Sequence, residues 1–317
     1  MEKRALGSTG LSIAPIVFGG NVFGWTIDEK TSFEVLDAFV DHGFNAIDTA
    51  DVYSAWVPGN TGGESETIIG NWLKARPGMR NRVAIFTKVG SVGGGPHPGA
   101  LSEEWIVKAV EGSLSRLGIE AIDLYFSHWP DPATPYEETL AAYGKLLRAG
   151  KVKAIGASNL NAAQLADALK VAKDRGLPHY QVLQPEYNLY DRASYDGVLR
   201  ELCMAEGLGV VTYFSLASGF LSGKYRSAAD LGQSQRGDRV AKYLTPRGEA
   251  ILKALDHVGA GHGAKPAEVA LAWLIARKGV TAPIASATRA AHVASFAKAA
   301  SLRLATEDIA ALDQASA

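Results

Sequence analysis

Three apolar stretches of the sequence end in ionisable side chains. Asp48 closes the stretch NAIDTA, and Tyr53 follows it by five residues. Lys88 closes the stretch RVAIFTKVG, and His128 closes the stretch AIDLYFSHW. A carboxylate, a phenol, an ammonium and an imidazole at the ends of apolar stretches indicate a functional site, because titratable groups of this kind gather where chemistry is done.

These four side chains together could deliver a proton to a carbonyl oxygen. A free phenol has a pKa near ~10, and a neighbouring ammonium lowers that pKa because it favours the phenolate. A lysine inside a fold needs a carboxylate partner, which Asp48 would supply. His128 would then orient a substrate oxygen toward Tyr53, the general acid. The set has no hydride donor, so the hydride must come from a cofactor.

The apolar stretches alternate with helical segments along the whole chain. Eight such stretches occur, and segments with helical spacing, such as SEEWIVKAVEGSLSRLG, lie between them. Continuous apolar strands that alternate with helices are typical of parallel sheets buried on both faces. The sequence therefore predicts an α/β fold, a closed (β/α)₈ TIM barrel that forms one domain over residues 1–317. The turn GSTG near the start predicts an N-terminal β-hairpin.

In such a barrel the carboxyl ends of the strands form the active site. Further polar residues fall at the ends of the later stretches, and they are Ser127, Ser158, Asn159, Gln184, Tyr213 and Ser215. One polar residue at a strand end commonly caps the strand. Packing alone does not readily explain so many at the same end.

The composition argues against several classes of function. The formal net charge of −1 gives no reason to expect a nucleic acid as partner. The single cysteine, Cys203, excludes an intrachain disulfide, suits a reducing cytoplasm and is expected to be inert core. The longest uncharged stretch, residues 207–223, is too short and polar to span a membrane. The seven histidines lack ligand spacing, so we expect no metal site. A cytoplasmic monomer is the default expectation, with a homo-oligomer left open.

Five segments resemble the aldo-keto reductases, in the same order and at similar spacings: GFNAIDTADVY, ESETIIG, FTKVG, LYFSHWPD and AIGASN. The segments QPEYN and YFSLASGFLSGKY extend the resemblance over essentially the whole chain. The resemblance implies a (β/α)₈ barrel that binds NADP(H) without a Rossmann domain. It also implies reversible reduction of an aldehyde or ketone to the alcohol by the tetrad Asp48, Tyr53, Lys88 and His128.

The same resemblance implies which residues hold the cofactor. Ser158, Asn159 and Gln184 would hydrogen-bond the nicotinamide carboxamide, and Tyr213 would stack on the ring. The segment after the seventh barrel strand would bind the pyrophosphate, since glycines permit close backbone approach and a lysine supplies charge. Its residues are Ser215, Leu216, Gly219, Gly223 and Lys224. The stretch GFLSGKY has three residues between its glycines and no Ser or Thr after the lysine, so it does not match a P-loop.

Residues 283–296 correspond to the segment that holds the adenosine 2′-phosphate and adenine in the family. Thr288 and Arg289 fit this role, and a guanidinium suits a phosphate. Ser286 stands where glycine is common, His292 where glutamine or arginine is usual, and Phe296 where asparagine contacts adenine. The expectation of NADP(H) therefore depends mainly on Arg289, and NAD(H) stays open.

Three tryptophans follow strand ends on the expected catalytic face, namely Trp25, Trp56 and Trp129. They are expected to line a substrate pocket, where an aromatic wall would suit a sugar-like or cyclic substrate; ordinary loop packing is the alternative. Residues 53–63 could form a lid, and substrate choice is expected to depend also on residues 227–239. The glycine-rich residues 90–99 are expected to form a plain surface loop, with a hinge as the alternative.

Two other functions stay open at this point. Some barrels of this family act as nucleotide-sensing regulatory subunits of other proteins, with turnover secondary. An NAD-preferring alcohol or sugar dehydrogenase is the second alternative. The intact tetrad favours catalysis on a small carbonyl or alcohol substrate, but it does not exclude a sensor.

Overall fold

The computed structural model describes all 317 residues and contains ten β-strands. They are β1 (Arg4–Ala5), β2 (Ser12–Ile13), β3 (Val17–Gly19), β4 (Ala46–Asp48), β5 (Ala84–Val89), β6 (Leu124–Ser127), β7 (Ile155–Ser158), β8 (Val182–Gln184), β9 (Gly209–Thr212) and β10 (Ala282–Ala285).

Eleven α-helices accompany the strands. They are α1 (Glu29–Asp41), α2 (Glu64–Ala75), α3 (Glu103–Leu117), α4 (Tyr136–Arg148), α5 (Ala162–Arg175), α6 (Val198–Ala205), α7 (Gly237–Val240), α8 (Pro246–His262), α9 (Pro266–Ala276), α10 (Ala290–Ser301) and α11 (Thr306–Ala315). Short 3₁₀ helices span Gly20–Val22, Met79–Asn81, Ala217–Ser222, Ala228–Gln233 and Ala241–Tyr243. None of the helices combines the length and the apolar character needed to cross a membrane.

The eight strands from β3 to β10 form a closed barrel in chain order, and every pair in it is parallel. Closure comes from β10, which pairs with β3 so that Ile284 lies opposite Val17. The prediction of a (β/α)₈ barrel is confirmed. All eight carboxyl ends consequently point to one face, which is where the polar strand ends of the sequence come together.

The helices begin and end at residues suited to those positions. The side chain of Ser102 accepts a hydrogen bond from the backbone of Trp105 at the start of α3, and Gly118 ends that helix in the left-handed conformation. The predicted segment SEEWIVKAVEGSLSRLG therefore includes both caps. Asn161 and Gln164 form a reciprocal capping box at the start of α5.

The predicted N-terminal hairpin is confirmed, since β1 pairs antiparallel with β2 and Arg4 lies opposite Ile13. Leu6 and Ile13 are fully buried in one cluster with inward-facing barrel residues such as Phe86 and Phe126. The Arg4 guanidinium donates to the carbonyl oxygens of Ile275 and Thr281, at 2.9 and 3.2 Å. The hairpin therefore covers the amino-terminal end of the barrel.

Cys203, which the sequence assigned to the core, lies there, and so does Trp273. Trp273 is fully buried in α9, and its indole nitrogen donates to Asp313 Oδ1 at 3.0 Å. Cys203 is fully buried in α6, and burial raises the pKa of its thiol to about 12. The thiol is consequently protonated and unreactive at neutral pH.

Candidate active site

The Lys88 ammonium is the centre of the polar cluster at the carboxyl end of the barrel. Lys88 is fully buried near the end of β5, and its Nζ donates to Asp48 Oδ2 at 2.7 Å and to Tyr53 OH at 2.8 Å. The backbone oxygen of Thr49 accepts the third hydrogen bond, at 2.7 Å. All three donors of the ammonium are satisfied, so its position relative to the phenol is fixed.

Burial and charge act on these three groups in different directions. Burial raises the pKa of Asp48 and lowers the pKa of Lys88, while the attraction between the two opposes both shifts. The pKa of Tyr53 is raised above its ordinary value, first by burial and then by the Asp48 carboxylate. The net shift of the phenol pKa is therefore upward, because burial and the carboxylate outweigh the stabilisation of the phenolate that is expected from the ammonium. Tyr53 holds its proton at neutral pH and can donate it.

Gln184, at the end of β8, supports the carboxylate from the other side. Its amide Nε2 donates to Asp48 Oδ1 at 2.9 Å, which leaves its own amide oxygen free to accept. Ser158 Oγ donates to the backbone oxygen of Gln184 at 2.7 Å. The ends of β4, β7 and β8 are thereby joined in one hydrogen-bonded network.

Asn159 ties two other predicted site residues together. Its amide Nδ2 donates to the backbone oxygen of His128 at 2.8 Å, and its Oδ1 accepts from the Tyr213 hydroxyl at 2.6 Å. Asn159 has a φ of 62°, a left-handed conformation that asparagine tolerates better than most residues. A strained backbone that places a polar side chain in this way is typical of functional sites.

His128 lies next to the phenol, just after the end of β6. The centroids of the His128 and Tyr53 rings are 6.0 Å apart, and the Trp129 ring stacks on the imidazole with its centroid also 6.0 Å away. Burial, followed by the charge of Lys88, lowers the pKa of His128 well below 6.5. The imidazole is consequently neutral at neutral pH, with one N–H to donate.

The cluster opens into a cavity of about 880 Å³. All three tryptophans singled out from the sequence line it, and the ring of Trp56 lies 6.0 Å from Tyr53 and 5.6 Å from Trp25. The predicted glycine-rich loop lies at its edge, because Gly93 and Gly94 also line it. The cavity therefore has an aromatic wall next to the phenol.

The segment after β9 lines the cavity, and several of its residues have the left-handed backbone conformation. Phe214, Ala217, Ser218 and Gly219 have φ values of 51°, 48°, 58° and 101°. Four of the five residues predicted to bind pyrophosphate line the cavity, namely Ser215, Leu216, Gly219 and Lys224. Gly223 does not line it; a side chain there would collide with Arg226 and Pro266.

The predicted adenosine segment lines the same cavity through Ser286, Thr288, Arg289 and His292. Arg289 Nε donates to His292 Nε2 at 2.8 Å. Burial, followed by the charges of Arg289, Lys224 and Lys265, lowers the pKa of His292. Three cations around a neutral imidazole fit the phosphate groups of a nicotinamide cofactor.

Two departures from the family pattern have structural roles here. Ser286 Oγ lies 2.7 Å from the Gly19 carbonyl oxygen and 2.8 Å from Asn21 Oδ1, so it joins β10 to the segment after β3. Phe296 is buried, and its ring packs edge-on against Phe44 at 6.5 Å. A polar asparagine would not suit that apolar contact.

Sequence reasoning missed several cavity residues. The cavity is also lined by Lys265, Arg236 and Arg239. The sequence linked residues 227–239 to substrate choice but did not predict a role for the arginines within them, and it did not predict Lys265. The signal for Lys265 was its position before Pro266, at the start of a helix in the phosphate-binding half of a barrel. No periodicity marks Arg236 or Arg239, because loop residues follow none.

The closed parallel barrel thus carries an ammonium, a carboxylate and a phenol in mutual contact at its carboxyl face, next to a large cavity. Residues 15–317 match the model of the Aldo/keto reductase family, and the chain belongs to that family. Its members reduce carbonyl compounds with nicotinamide cofactors, generally NADPH.

Relatives of the chain are known from bacteria and plants. It is 36% identical over 293 residues to the uncharacterized oxidoreductase YrpG of Bacillus subtilis (strain 168), covering 90% of this chain and 86% of the relative. It is 30% identical over 330 residues to the aldo-keto reductase YhdN of the same organism, covering 97% and 91%. A probable voltage-gated potassium channel subunit beta of Arabidopsis thaliana is 32% identical over 305 residues, covering 94% and 91%.

Proposed function

We propose that this protein is an NADPH-dependent reductase of aldehydes or ketones that also oxidises the alcohol in reverse. The contact of Lys88 Nζ with both Asp48 Oδ2 and Tyr53 OH, next to a large cavity, supports this function most directly. A protonated phenol with an ammonium at 2.8 Å is a general acid whose conjugate base is stabilised in place.

The proposed mechanism assigns one role to each member of the tetrad. Bound NADPH would supply the hydride to the carbonyl carbon. Tyr53 donates its proton to the oxygen as negative charge develops there. Lys88 then stabilises the phenolate that is left, and Asp48 holds Lys88 in position. His128, neutral and partly enclosed by Trp129, donates its N–H to the carbonyl oxygen and orients it toward the phenol.

The residues around the cavity support particular cofactor contacts. The free amide oxygen of Gln184 and the amide of Asn159 suit a carboxamide, and Tyr213 offers its ring next to them. Arg289 and Thr288 suit a 2′-phosphate, which favours NADPH over NADH. The aromatic wall of Trp25, Trp56 and Trp129 favours a cyclic or otherwise flat substrate.

The proposal is tested by cofactor binding followed by turnover. Tryptophan fluorescence of the purified protein would be titrated with NADPH and with NADH, and a panel of aldehydes and keto-sugars would then be assayed. We expect tighter binding of NADPH and turnover of at least one cyclic carbonyl. Equal binding of both cofactors would refute the NADPH preference, and tight binding with no turnover on any carbonyl would refute the reductase.

A nucleotide-sensing regulatory subunit is the second candidate, and the similarity to the plant relative with a channel-subunit name favours it. For such a subunit, cofactor binding would change the affinity for a partner protein. Recovery of a stoichiometric partner from the native source, together with negligible turnover, would support this second function.

A further inference from the structure

A two-residue turn lies at the edge of the cavity, in the glycine-rich loop after β5. Val92 and Gly95 exchange two backbone hydrogen bonds, at 3.1 and 3.3 Å, and form an antiparallel bridge. Gly93 and Gly94, which lie between them, have φ values of 61° and 92°. A type I′ turn requires a positive φ at both of its central residues. We call Gly93 and Gly94 the glycine turn.

The backbone of the glycine turn has no partner within the protein. Neither the N–H groups nor the carbonyl oxygens of Gly93 and Gly94 form a hydrogen bond, and both residues line the cavity. A methyl group added at either position would contact nothing within 4 Å. The turn therefore offers donors and acceptors that no side chain covers.

The base of the glycine turn is held in place. Ser91 is buried, and its Oγ donates to the backbone oxygen of Gly95 at 2.9 Å. Gly90 has a φ of 101°, and a side chain there would collide with Leu101. A turn with a fixed base loses little freedom when it binds a ligand.

The loop that carries the glycine turn is joined at both ends to the segment after β6. The backbone N–H of His128 donates to the backbone oxygen of Val89 at 2.7 Å. The Asp131 carboxylate accepts from the backbone N–H groups of Gly99 and Leu101, at 3.1 and 3.0 Å. The loop is therefore fixed relative to the imidazole that would orient the carbonyl.

The cavity extends from a buried reacting end to this exposed turn. The Tyr53 hydroxyl contacts the fully buried Lys88 at 2.8 Å, whereas Gly93 and Gly94 are exposed. A substrate whose carbonyl lies at Tyr53 would consequently direct its other end toward the rim that the glycine turn forms.

The cavity wall on this side carries no free charge. Of the residues before position 130 that line the cavity, Asp48 is the only charged one, and Lys88 Nζ pairs with it at 2.7 Å. The cations that line the cavity all lie within residues 224–289, and Arg236 and Arg239 reach this wall at Trp25. A neutral substrate suits the wall next to the phenol, since a charged one would lose hydration there without a partner.

We propose that the glycine turn determines substrate specificity by binding, through its backbone, a hydroxyl group at the end of the substrate remote from the carbonyl. A hydroxyl group both donates and accepts, so it matches a turn that offers N–H and C=O groups side by side. The absence of side chains lets the substrate approach that backbone closely. The inference deepens the proposed reductase function and depends on it for the position of the carbonyl. It assigns neutral hydroxylated aldehydes or ketones as the substrate class.

The test compares neutral aldehydes of the same shape with and without a hydroxyl group. One pair is 4-(hydroxymethyl)benzaldehyde and 4-ethylbenzaldehyde; a longer pair is 4′-(hydroxymethyl)biphenyl-4-carbaldehyde and its 4′-ethyl analogue. For each compound, kcat/KM would be measured at saturating NADPH. We expect the hydroxymethyl compound to be preferred about 3- to 10-fold for at least one length, through KM, as one hydrogen bond provides. A ratio of one or below for both lengths would overturn the proposal.

The variant Gly93→Asn keeps the turn and covers its backbone, because Asn-Gly is a preferred pair in type I′ turns and the added side chain has free space. We expect kcat/KM for the preferred hydroxymethyl compound to fall about 3- to 10-fold, through KM. Benzaldehyde has no substituent that could reach the turn and should be affected much less. An unchanged KM, or an equal loss with benzaldehyde, would contradict the assignment.

The matched control is Gly59→Asn. Gly59 also has a positive φ, 91°, and free space around it, but it does not line the cavity. This variant should retain the wild-type preference for the hydroxymethyl compound. Loss of the preference in the control as well would show that the effect does not come from the glycine turn.

The backbone amide gives a second readout. Protein labelled with ¹⁵N-glycine and loaded with NADP⁺ would be titrated with both members of the preferred pair, and the Gly93 resonance would be assigned by its loss in Gly93→Asn. We expect this resonance to shift with the hydroxymethyl compound and not with the ethyl compound. No shift, or an equal shift with both, would refute the hydrogen bond. A selective shift in a wild-type protein that turns over no aldehyde would uphold the binding element and refute the reductase.

Discussion

Gln184 Nε2 donates to Asp48 Oδ1 at 2.9 Å, so strand β8 contacts strand β4 through the interior of the barrel. Lys88 holds the other carboxylate oxygen at 2.7 Å. With both oxygens occupied, the carboxylate cannot rotate, and the ammonium that it binds stays directed at Tyr53. The orientation of the proposed acid therefore depends on a residue that does not touch it.

Replacing Tyr53 by phenylalanine removes the proposed proton donor and keeps the ring. We expect kcat for carbonyl reduction to fall about 10²- to 10⁴-fold, since a general acid contributes that much. The dissociation constant for NADPH, measured by fluorescence, should change little because the cavity keeps its shape. Activity close to wild type in this variant would refute the mechanism.

Replacing Lys88 by methionine leaves Asp48 buried without its counter-ion. We expect the free energy of unfolding to fall by about 3 kcal/mol, as is typical when one partner of a buried pair is removed. The double variant Asp48→Asn with Lys88→Met should recover part of that loss but none of the activity. Chemical denaturation of the two variants measures the difference, and equal stability of both would contradict a buried ion pair.

The raised pKa of Tyr53 and the lowered pKa of His128 predict the pH dependence. Reduction needs a protonated phenol, the form present below the Tyr53 pKa, so kcat/KM should stay constant between about pH 5 and 8 and fall only at alkaline pH. Oxidation of the alcohol needs the phenolate and should rise with pH. Initial rates in both directions test this, and an inflection near ~6.5 would contradict a neutral His128.

Replacing Arg289 by glutamine removes one charge from the basic group around His292. If this guanidinium binds the 2′-phosphate, affinity for NADPH should fall about 10- to 100-fold while affinity for NADH changes little. The exposed pair Lys253 and Glu249 offers a control, because Lys253→Gln also removes a surface charge but lies outside the cavity. Equal weakening of both cofactors would assign Arg289 a general role instead.

The barrel could be predicted because each of its strands is a short apolar stretch, followed by a polar residue at the same end. Asp48 and Lys88 were predicted as partners since strand alternation brings successive carboxyl ends to one face. The direction of the Tyr53 pKa could not be predicted, because it depends on how completely the surrounding residues exclude water.

Contacts between loops were also beyond prediction. The guanidinium carbon of Arg236 lies 5.0 Å from the centroid of the Trp25 ring, although the two residues are far apart in the chain and neither belongs to a helix or strand. Their meeting depends on the path of residues 227–239, which the buried Tyr225 and Ser234 contact sets in three dimensions. The only available signal for Arg236 was its residue type, an arginine within residues 227–239, which the sequence had already linked to substrate choice.

The hairpin that covers the amino-terminal end of the barrel has a consequence for water. Leu6 and Ile13 of the hairpin belong to the same buried apolar cluster as Phe86 and Phe126, so apolar side chains close this end of the barrel and we expect solvent to enter from the catalytic face. Protons exchanged by Lys88 and Tyr53 must therefore leave by the route that admits substrate. When a ligand fills the cavity, that single exit is closed, and the phenol is isolated from bulk water.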